Sequence, residues 1–517
     1  MKNKKGFVYI VGAGPGDYGL ITVKGLECIK ESDVIIYDRL INEKFLSHAR
    51  QGCELIYAGK YPTEHAIAQD RLNLLIAEKA EAGNIVTRLK GGDPYVFGRG
   101  GEEAMLLRER GIGFEVVPGI SAFSAVPAYA GIPVTHRGYS STAAIITGHE
   151  DPQKDSSDID WKSLSGIGTL VFFMGVKNLA KICDNLKANG LSGSTPAALI
   201  ERGTTPLQRT VVSDLDNIVT CAEEKKIGAP SIFLVGRTAE LSGRLAWFET
   251  RPLYGRKIIV TRAREQASEL TSRLERLGAM VYETPMIKIV PPDDGYASLD
   301  DALGRIGEFG MIVFTSVNGV SGFLKRAFES GFDIRRLAGL KIAAIGEKTA
   351  SALAARYLKT DIVPAEYKAE NLAEKIIEHA GSRKMKILIA RAQQARDTLI
   401  ETLSAAGHDI SLAHVYKSVP AANGTFDLKK LLSEGEIDMV TFASSSTVDN
   451  FVNAAGADFL ASVMRDKKIK IAAIGPITAS ACRGYGMPAD IEAKKFTIEA
   501  LAEEIAAYYS GAARADD

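Results

Sequence analysis

Short runs of β-branched and apolar residues alternate with longer amphipathic stretches almost from end to end of the chain. That alternation predicts an α/β protein with largely parallel sheets, each buried strand being followed by a crossover helix. Val8 to Val11, Val34 to Tyr37, Ile85 to Leu89, Ala143 to Thr147, Thr169 to Met174 and Ile232 to Val235 are the predicted strands of the first half, and another ends at Tyr57. Trp247 to Arg256, with Pro252 and Gly255, interrupts the pattern before a fresh strand at Lys257 to Thr261, so the major boundary is placed there. Beyond it the chain repeats itself. Lys257-Ile-Ile-Val-Thr-Arg-Ala is matched by Lys386-Ile-Leu-Ile-Ala-Arg-Ala, and Lys341-Ile-Ala-Ala-Ile-Gly346 by Lys470-Ile-Ala-Ala-Ile-Gly475. The common offset of about 129 residues is too long for a solenoid unit and fits a duplicated domain.

A chain of 517 residues is too long for one core. Hydrophobic content of 46% and charged content of 24% describe a soluble, folded protein. Lys+Arg 63 balances Asp+Glu 63, so no overall field draws the molecule to nucleic acid or anionic lipid, and neither is expected as a partner. The basic start, Met1 to Lys5, runs into a short strand, and no apolar run approaches bilayer length, so neither a signal peptide nor a membrane span is expected. Cys28, Cys53, Cys183, Cys221 and Cys482 are scattered, and the histidines show no ligand spacing. A reducing, cytoplasmic setting without a metal is the expectation.

The densest candidate chemistry lies in Arg88-Leu-Lys-Gly-Gly-Asp-Pro-Tyr-Val-Phe-Gly-Arg-Gly-Gly-Glu-Glu103. A strand enters it and a helix beginning near Gly101 leaves it, so glycine backbone is free to approach a ligand while Asp93 accepts hydrogen bonds. Phe7 to Asp17 resembles a dinucleotide fingerprint, but Asp17 replaces its third glycine and Pro15 stiffens the turn. A nicotinamide dehydrogenase is therefore disfavoured. Asp38 and Arg39 close one strand, and Lys60 follows another; a parallel sheet would bring them to the same edge as the glycine loop.

Gly12 to Asp17, Tyr37 to Leu40, Gly59-Lys60, Arg88 to Glu103, Val117 to Ser121, Gly131 to Arg137, Val171 to Gly175 and Ile200 to Thr205 occur in the order seen in tetrapyrrole methylases. Within that superfamily the chain most resembles the uroporphyrinogen III C-methyltransferases, over about residues 5 to 250. The resemblance implies two α/β lobes, about 1–120 and 121–250, with S-adenosylmethionine in the cleft, released as S-adenosylhomocysteine. It implies donor contacts at Pro15, Gly91, Gly92, Asp93, Val96, Ser121, Ala122, Met174 and Gly203. Asp38 then matches the proton acceptor and Lys60 the proton donor. Arg39, Arg99, His136 and Arg137 are candidates for pairing with substrate carboxylates. Related methylases suggest a homodimer.

Residues 255 to 510 carry no nucleophile–base pair and no phosphate loop. Their signals are hydroxyls and glycines that follow strands and begin helices: Thr315, Ser316, Gly346, Thr349, Ser444, Ser445, Gly475 and Thr478. Each hydroxyl taken singly reads as a helix N-cap; together they read as donors to carboxylates across a cleft. This half resembles uroporphyrinogen III synthase, which implies one lobe from 255–289 plus 418–509 and another from 290–417. Tyr416 matches the residue proposed to assist hydroxyl departure from hydroxymethylbilane. The two resemblances agree, because the product of the second module is the substrate of the first. Together they imply a bifunctional enzyme making uroporphyrinogen III and methylating it at C2 and C7 to precorrin-2, towards sirohaem and cobalamin. Two other readings stay open at this stage: a methylase acting on a later corrin intermediate, and a catalytically silent tetrapyrrole-binding second half. No attached dehydrogenase or ferrochelatase module is expected.

Overall fold

Strand β1 (Phe7–Gly12) is apolar on both faces and enters the middle of a five-stranded sheet. The computed structural model describes residues 6–59, 68–148, 158–261, 264–366, 368–395, 397–420 and 427–513. It divides into two compact units, 1–257 with 273–281 and 505–517, and 258–272 with 282–504.

In the first unit β1 is joined by β2 (Val34–Tyr37), β3 (Glu54–Tyr57), β4 (Ile85–Lys90) and β5 (Gly113–Val117), in the order β3-β2-β4-β1-β5. Every pairing is parallel. Both faces are covered, one by a cluster around Val8, Ile36 and Ile76, the other by one around Val11, Ile29 and Phe45. Parallel strands place all their carboxyl ends along one edge, the place where open α/β sheets take ligands.

The second sheet corrects the expectation of largely parallel pairing. It contains β6 (Ala143–Thr147), β7 (Thr169–Phe173), β8 (Pro196–Glu201), β9 (Arg209–Asp214) and β10 (Ser231–Val235), in the order β6-β7-β10-β8-β9. Only β6 and β7 run parallel; the other three neighbours are antiparallel. The turn 202–208 between β8 and β9 is too short for a crossover helix, so the chain must return antiparallel. The stretch read as a boundary is itself folded onto this unit. Trp247 Nε1 donates to the Ala128 carbonyl at 2.9 Å, Gln208 Nε2 donates to Glu249 at 2.8 Å, and Leu253 is fully buried.

The remaining strands form two further sheets. One contains β11 (Lys257–Val260), β12 (Met280–Glu283), β18 (Met439–Phe442), β19 (Lys470–Ala473) and β20 (Ile491–Glu492), in the order β12-β11-β18-β19-β20. The other contains β13 (Ile287–Val290), β14 (Met311–Phe314), β15 (Lys341–Ala344), β16 (Lys386–Ala392) and the long β17 (Asp409–Pro420), in the order β13-β17-β16-β14-β15. The end of β17 pairs antiparallel with β13, from Ile287 opposite Pro420 to Val290 opposite Lys417.

Repeated sequence gives repeated geometry here. Phe314 meets Phe323 edge to face at 5.5 Å, and Phe442 meets Phe451 at 5.2 Å. Asp361 accepts from Lys341 Nζ and from the Ile342 amide at 2.8 and 2.9 Å; Asp490 accepts from Lys470 Nζ and the Ile471 amide, both at 2.9 Å.

Candidate functional site

Three glycine loops at the carboxyl edge of the first sheet lie backbone against backbone. Gly14 and Gly92 exchange both hydrogen bonds, Gly92 N to Gly14 O at 2.7 Å and Gly14 N to Gly92 O at 3.2 Å. Side chains have no room between them: a Cβ on Gly12 would stand 2.5 Å from Gly119 N, and one on Gly119 would stand 2.2 Å from Gly92 O. Gly203 faces a side chain instead: a Cβ there would stand 2.4 Å from Val126 Cγ1. Asp93 stitches the loops together, Oδ2 accepting from Gly119 N at 3.0 Å and Oδ1 from Tyr95 N at 2.8 Å. Gly91 is less tight, its would-be Cβ 3.0 Å from that of Leu40.

Around this bed the backbone is strained. Phe97, Arg99, Met174, Arg202 and Thr204 all take positive φ, from 47° to 67°, although none is glycine. Such conformations are held only where the surroundings impose them, and they concentrate at ligand sites. Met174 thus ends β7 one residue earlier than its sequence predicts. Ser121 is buried and stands before the helix Ala122–Tyr129 without capping it; Pro15, Val96 and Ala122 are half-buried. Asp17, the residue that breaks the dinucleotide fingerprint, has a different task. Its amide donates to Thr204 Oγ1 at 3.2 Å and its Oδ2 accepts from Tyr129 OH at 2.8 Å, tying the first glycine loop to the second lobe. Packing against Trp247 and Phe248 keeps the Tyr129 ring in place.

Asp38 stands at the end of β2, one strand from the Gly91–Asp93 loop. Arg88 Nη2 donates to its Oδ1 at 2.6 Å, and the Arg88 side chain is only 2% exposed against 32% for Asp38. Behind it Glu103 Oε1 accepts from Arg88 Nε at 3.0 Å and from Lys90 Nζ at 2.8 Å. Burial, with Arg88 beside it, pushes the Lys90 ammonium below its usual range. Arg88, Lys90 and Glu103 escaped the sequence reading as side chains. The legible signal was Arg88 and Lys90 two apart on one strand, hence on the same face, amid apolar neighbours.

Lys60 lies outside the described residues. The proposed carboxylate binders are exposed and dispersed. Arg99 forms a two-pronged pair with Glu102, at 2.8 and 2.7 Å. His136 packs on Tyr139 and shares a 2.7 Å hydrogen bond with the Arg137 carbonyl. Arg39 is exposed, and no described contact joins any of the four to Asp38.

In the second unit Ser316 and Ser444 do act as N-caps, accepting from the Gly319 amide at 2.9 Å and the Thr447 amide at 3.4 Å. Thr315 and Ser445 flank them, half-buried. Gly346 and Gly475 occupy the corresponding caps of the next helices. Thr349 and Thr478 are each 4% exposed and offer little surface to a ligand. Tyr416 is placed by an irregularity: β16 pairs Arg391 with His414 but Ala392 with Tyr416, skipping Val415. Such a bulge re-aims a side chain. The Tyr416 hydroxyl comes within 3.2 Å of Ser316 Oγ, so the cap also belongs to a hydroxyl pair. Among the described residues no group of His, Cys, Asp and Glu is arranged to hold a metal ion, and no helix is long and apolar enough to cross a membrane.

Comparison with known proteins adds to this geometry. The tetrapyrrole (corrin/porphyrin) methylases match residues 8–219, and uroporphyrinogen-III synthase HemD matches residues 268–503. The porphyrin biosynthesis protein HemD of Ruminiclostridium josui is 37% identical, over 97% of this chain and 97% of its own. The uroporphyrinogen-III C-methyltransferase of Priestia megaterium is 50% identical, over 46% of this chain and 100% of its own. The solved uroporphyrin-III C-methyl transferase of Thermus thermophilus, complexed with S-adenyl homocysteine, is 36% identical over 46% of this chain and 100% of that one, with a TM-score of 0.40.

Proposed function

The chain belongs to the family of the Ruminiclostridium josui porphyrin biosynthesis protein HemD, as an enzyme of tetrapyrrole biosynthesis with a methylase module and a uroporphyrinogen-III synthase module, and from that premise we propose its two reactions. The synthase module closes hydroxymethylbilane to uroporphyrinogen III with inversion of ring D. The methylase module transfers methyl groups to C2 and C7 of that product, giving precorrin-2. The observation that carries the methylase reading is the meeting, at one sheet edge, of a side-chain-free glycine bed with a carboxylate held by a buried arginine.

The bed fits S-adenosylmethionine, because Gly12 and Gly119 leave bare backbone where a Cβ would intrude on the neighbouring loop, Gly203 does so against the Val126 side chain, and Gly92 holds a left-handed φ of 67° with no side chain to strain. Pro15, Gly91, Asp93, Val96, Ser121 and Ala122 belong to the same loops, and Met174, just after β7, is assigned to the donor with them. Bound there, the donor supplies a methyl group on a cationic sulfur and departs as S-adenosylhomocysteine. The residues orient it towards the ring carbon, and orientation is the main source of rate for such a transfer. The attacked ring is left cationic. Asp38, aimed by Arg88, stabilises that charge and accepts the proton the ring gives up. Lys60 is assigned the complementary proton donation. Arg39, Arg99, His136 and Arg137 pair with the acetate and propionate groups, Arg99 exchanging Glu102 for the substrate.

In the synthase module Thr315, Ser316, Gly346, Ser444, Ser445 and Gly475 hold the carboxylates of the curled chain, while the buried Thr349 and Thr478 support the helix starts behind them. Tyr416 donates a hydrogen bond to the departing hydroxyl, with Ser316 fixing its orientation. Tyr416→Phe is expected to slow cyclisation about 100- to 1,000-fold, the scale of one lost donor to the reacting group, with an unchanged melting temperature. An unaltered rate would remove Tyr416 from the reaction.

The reading extends to a cytoplasmic homodimer formed through the methylase half. Uroporphyrinogen III incubated with the purified chain and S-adenosylmethionine should gain two methyl groups by mass. A product that stops at one, or a chain that never methylates it, would contradict the methylase assignment.

A further inference from the structure

Beneath Asp38 lies a charge cluster that the reaction as described does not require. The side chains of Arg88, Lys90 and Glu103 are 2%, 4% and 0% exposed, two cations to one carboxylate. For the fold alone this is a poor choice, since apolar residues of similar volume usually serve stability as well or better. Its geometry is nonetheless specific. Glu103 Oε1 receives Arg88 Nε at 3.0 Å, Lys90 Nζ at 2.8 Å and, more distantly, Gln69 Nε2 at 3.4 Å. Arg88 Nη1 donates to the Ile36 and Leu89 carbonyls at 3.2 and 3.3 Å. With its other nitrogens so fixed, the guanidinium has one direction left for Nη2, which is Asp38 Oδ1 at 2.6 Å. Asp38 Oδ2 has no protein donor among the described residues.

We propose that Glu103 is a positioning residue for methyl transfer, acting through Arg88 to hold one oxygen of Asp38 and leave the other free for the substrate proton. Lys90 supports it by donating to the same Glu103 oxygen and balancing part of its charge, so that Arg88 is shared between two carboxylates rather than captured by one. Among the described residues Glu103 Oε2 is buried without a hydrogen-bond partner, a cost that a purely structural carboxylate would be expected to avoid. The inference rests on the reading of Asp38 as the proton acceptor.

The test is a double-mutant cycle in the full chain: wild type, Glu103→Gln, Asp38→Asn and both together, each assayed for methylation of uroporphyrinogen III and for S-adenosylhomocysteine affinity by calorimetry. Glu103→Gln is expected to lower kcat about 10- to 100-fold, the scale of a misplaced catalytic group, with donor-site affinity kept. In the Asp38→Asn background the same change should have almost no further effect, because residues acting through one another are not additive. Additive losses, or full kcat in Glu103→Gln, overturn the inference. Should Glu103→Gln fail to bind the nucleoside, Glu103→Asp, which keeps the charge and withdraws the oxygen, takes its place in the cycle under the same criteria. Full activity in Asp38→Asn would instead strike the proton-acceptor reading itself, so the two failures are separable.

Discussion

Asp38→Asn is expected to reduce methylation by about 100- to 10,000-fold, the usual contribution of a positioned acid or base. The asparagine side chain still offers an oxygen to Arg88 Nη2, so the buried guanidinium keeps its partner and the strand end keeps its shape. It cannot take up the ring proton. Affinity for S-adenosylhomocysteine should therefore stay within about twofold of wild type while kcat falls, the pattern of an interaction used in the transition state. Asp38→Ala should be equally inactive but melt lower, because it removes a partner from a buried cation while Lys90 still competes for Glu103. Calorimetry beside a turnover assay separates the two effects. A fully active Asp38→Asn would place the proton acceptor elsewhere.

Gly119→Ala is the second change with a large expected effect. Its new methyl would stand 2.2 Å from Gly92 O and 2.7 Å from Gly12 Cα, both backbone atoms that cannot rotate away. The loops must part, at a cost of about 1–3 kcal/mol typical of overpacking. Separated by an ångström, they no longer form one bed, and nucleoside affinity should fall about 100-fold. Gly101→Ala is the internal control. It lies in the helix Gly100–Glu109 with nothing within 4 Å of its would-be Cβ, so it should leave binding unchanged and be neutral or stabilising by about 0.5 kcal/mol. Equal effects at the two positions would show that the backbone contact at Gly119 does not matter.

Much of the fold was legible because parallel strands buried on both faces leave continuous β-branched runs, as at Val34 to Tyr37 and Phe7 to Val11. Where a strand lacks that signature it is hard to see. Pro196–Glu201 carries two alanines and a leucine, residues at home in a helix, and becomes strand β8 because β9 and β10 pair with it. The glycine bed was visible as composition, but not that Gly12, Gly92 and Gly119 touch, since their closeness comes from three strands ending together. Asp17 could be read only as a departure from a fingerprint; its bond to Tyr129 joins residues far apart in sequence. The Arg88–Glu103 pairing was hidden for a related reason. A charge at strand position 88 reads as solvated until the sheet buries it.

The hydroxyl cluster of the second half shows the opposite case. Ser316 and Ser444 were correctly legible as possible caps, yet capping does not exhaust Ser316. The β-bulge at Tyr416, which no local pattern announces, brings a phenol to the same oxygen.

One chain is expected both to close hydroxymethylbilane and to methylate what it makes. The most direct measurement supplies hydroxymethylbilane to the purified chain with and without S-adenosylmethionine, oxidises the products and resolves porphyrin isomers and masses. Isomer III is expected without the donor, and a product heavier by two methyl groups with it. Isomer I alone in the absence of donor, or isomer III that never gains a methyl group in its presence, would contradict it.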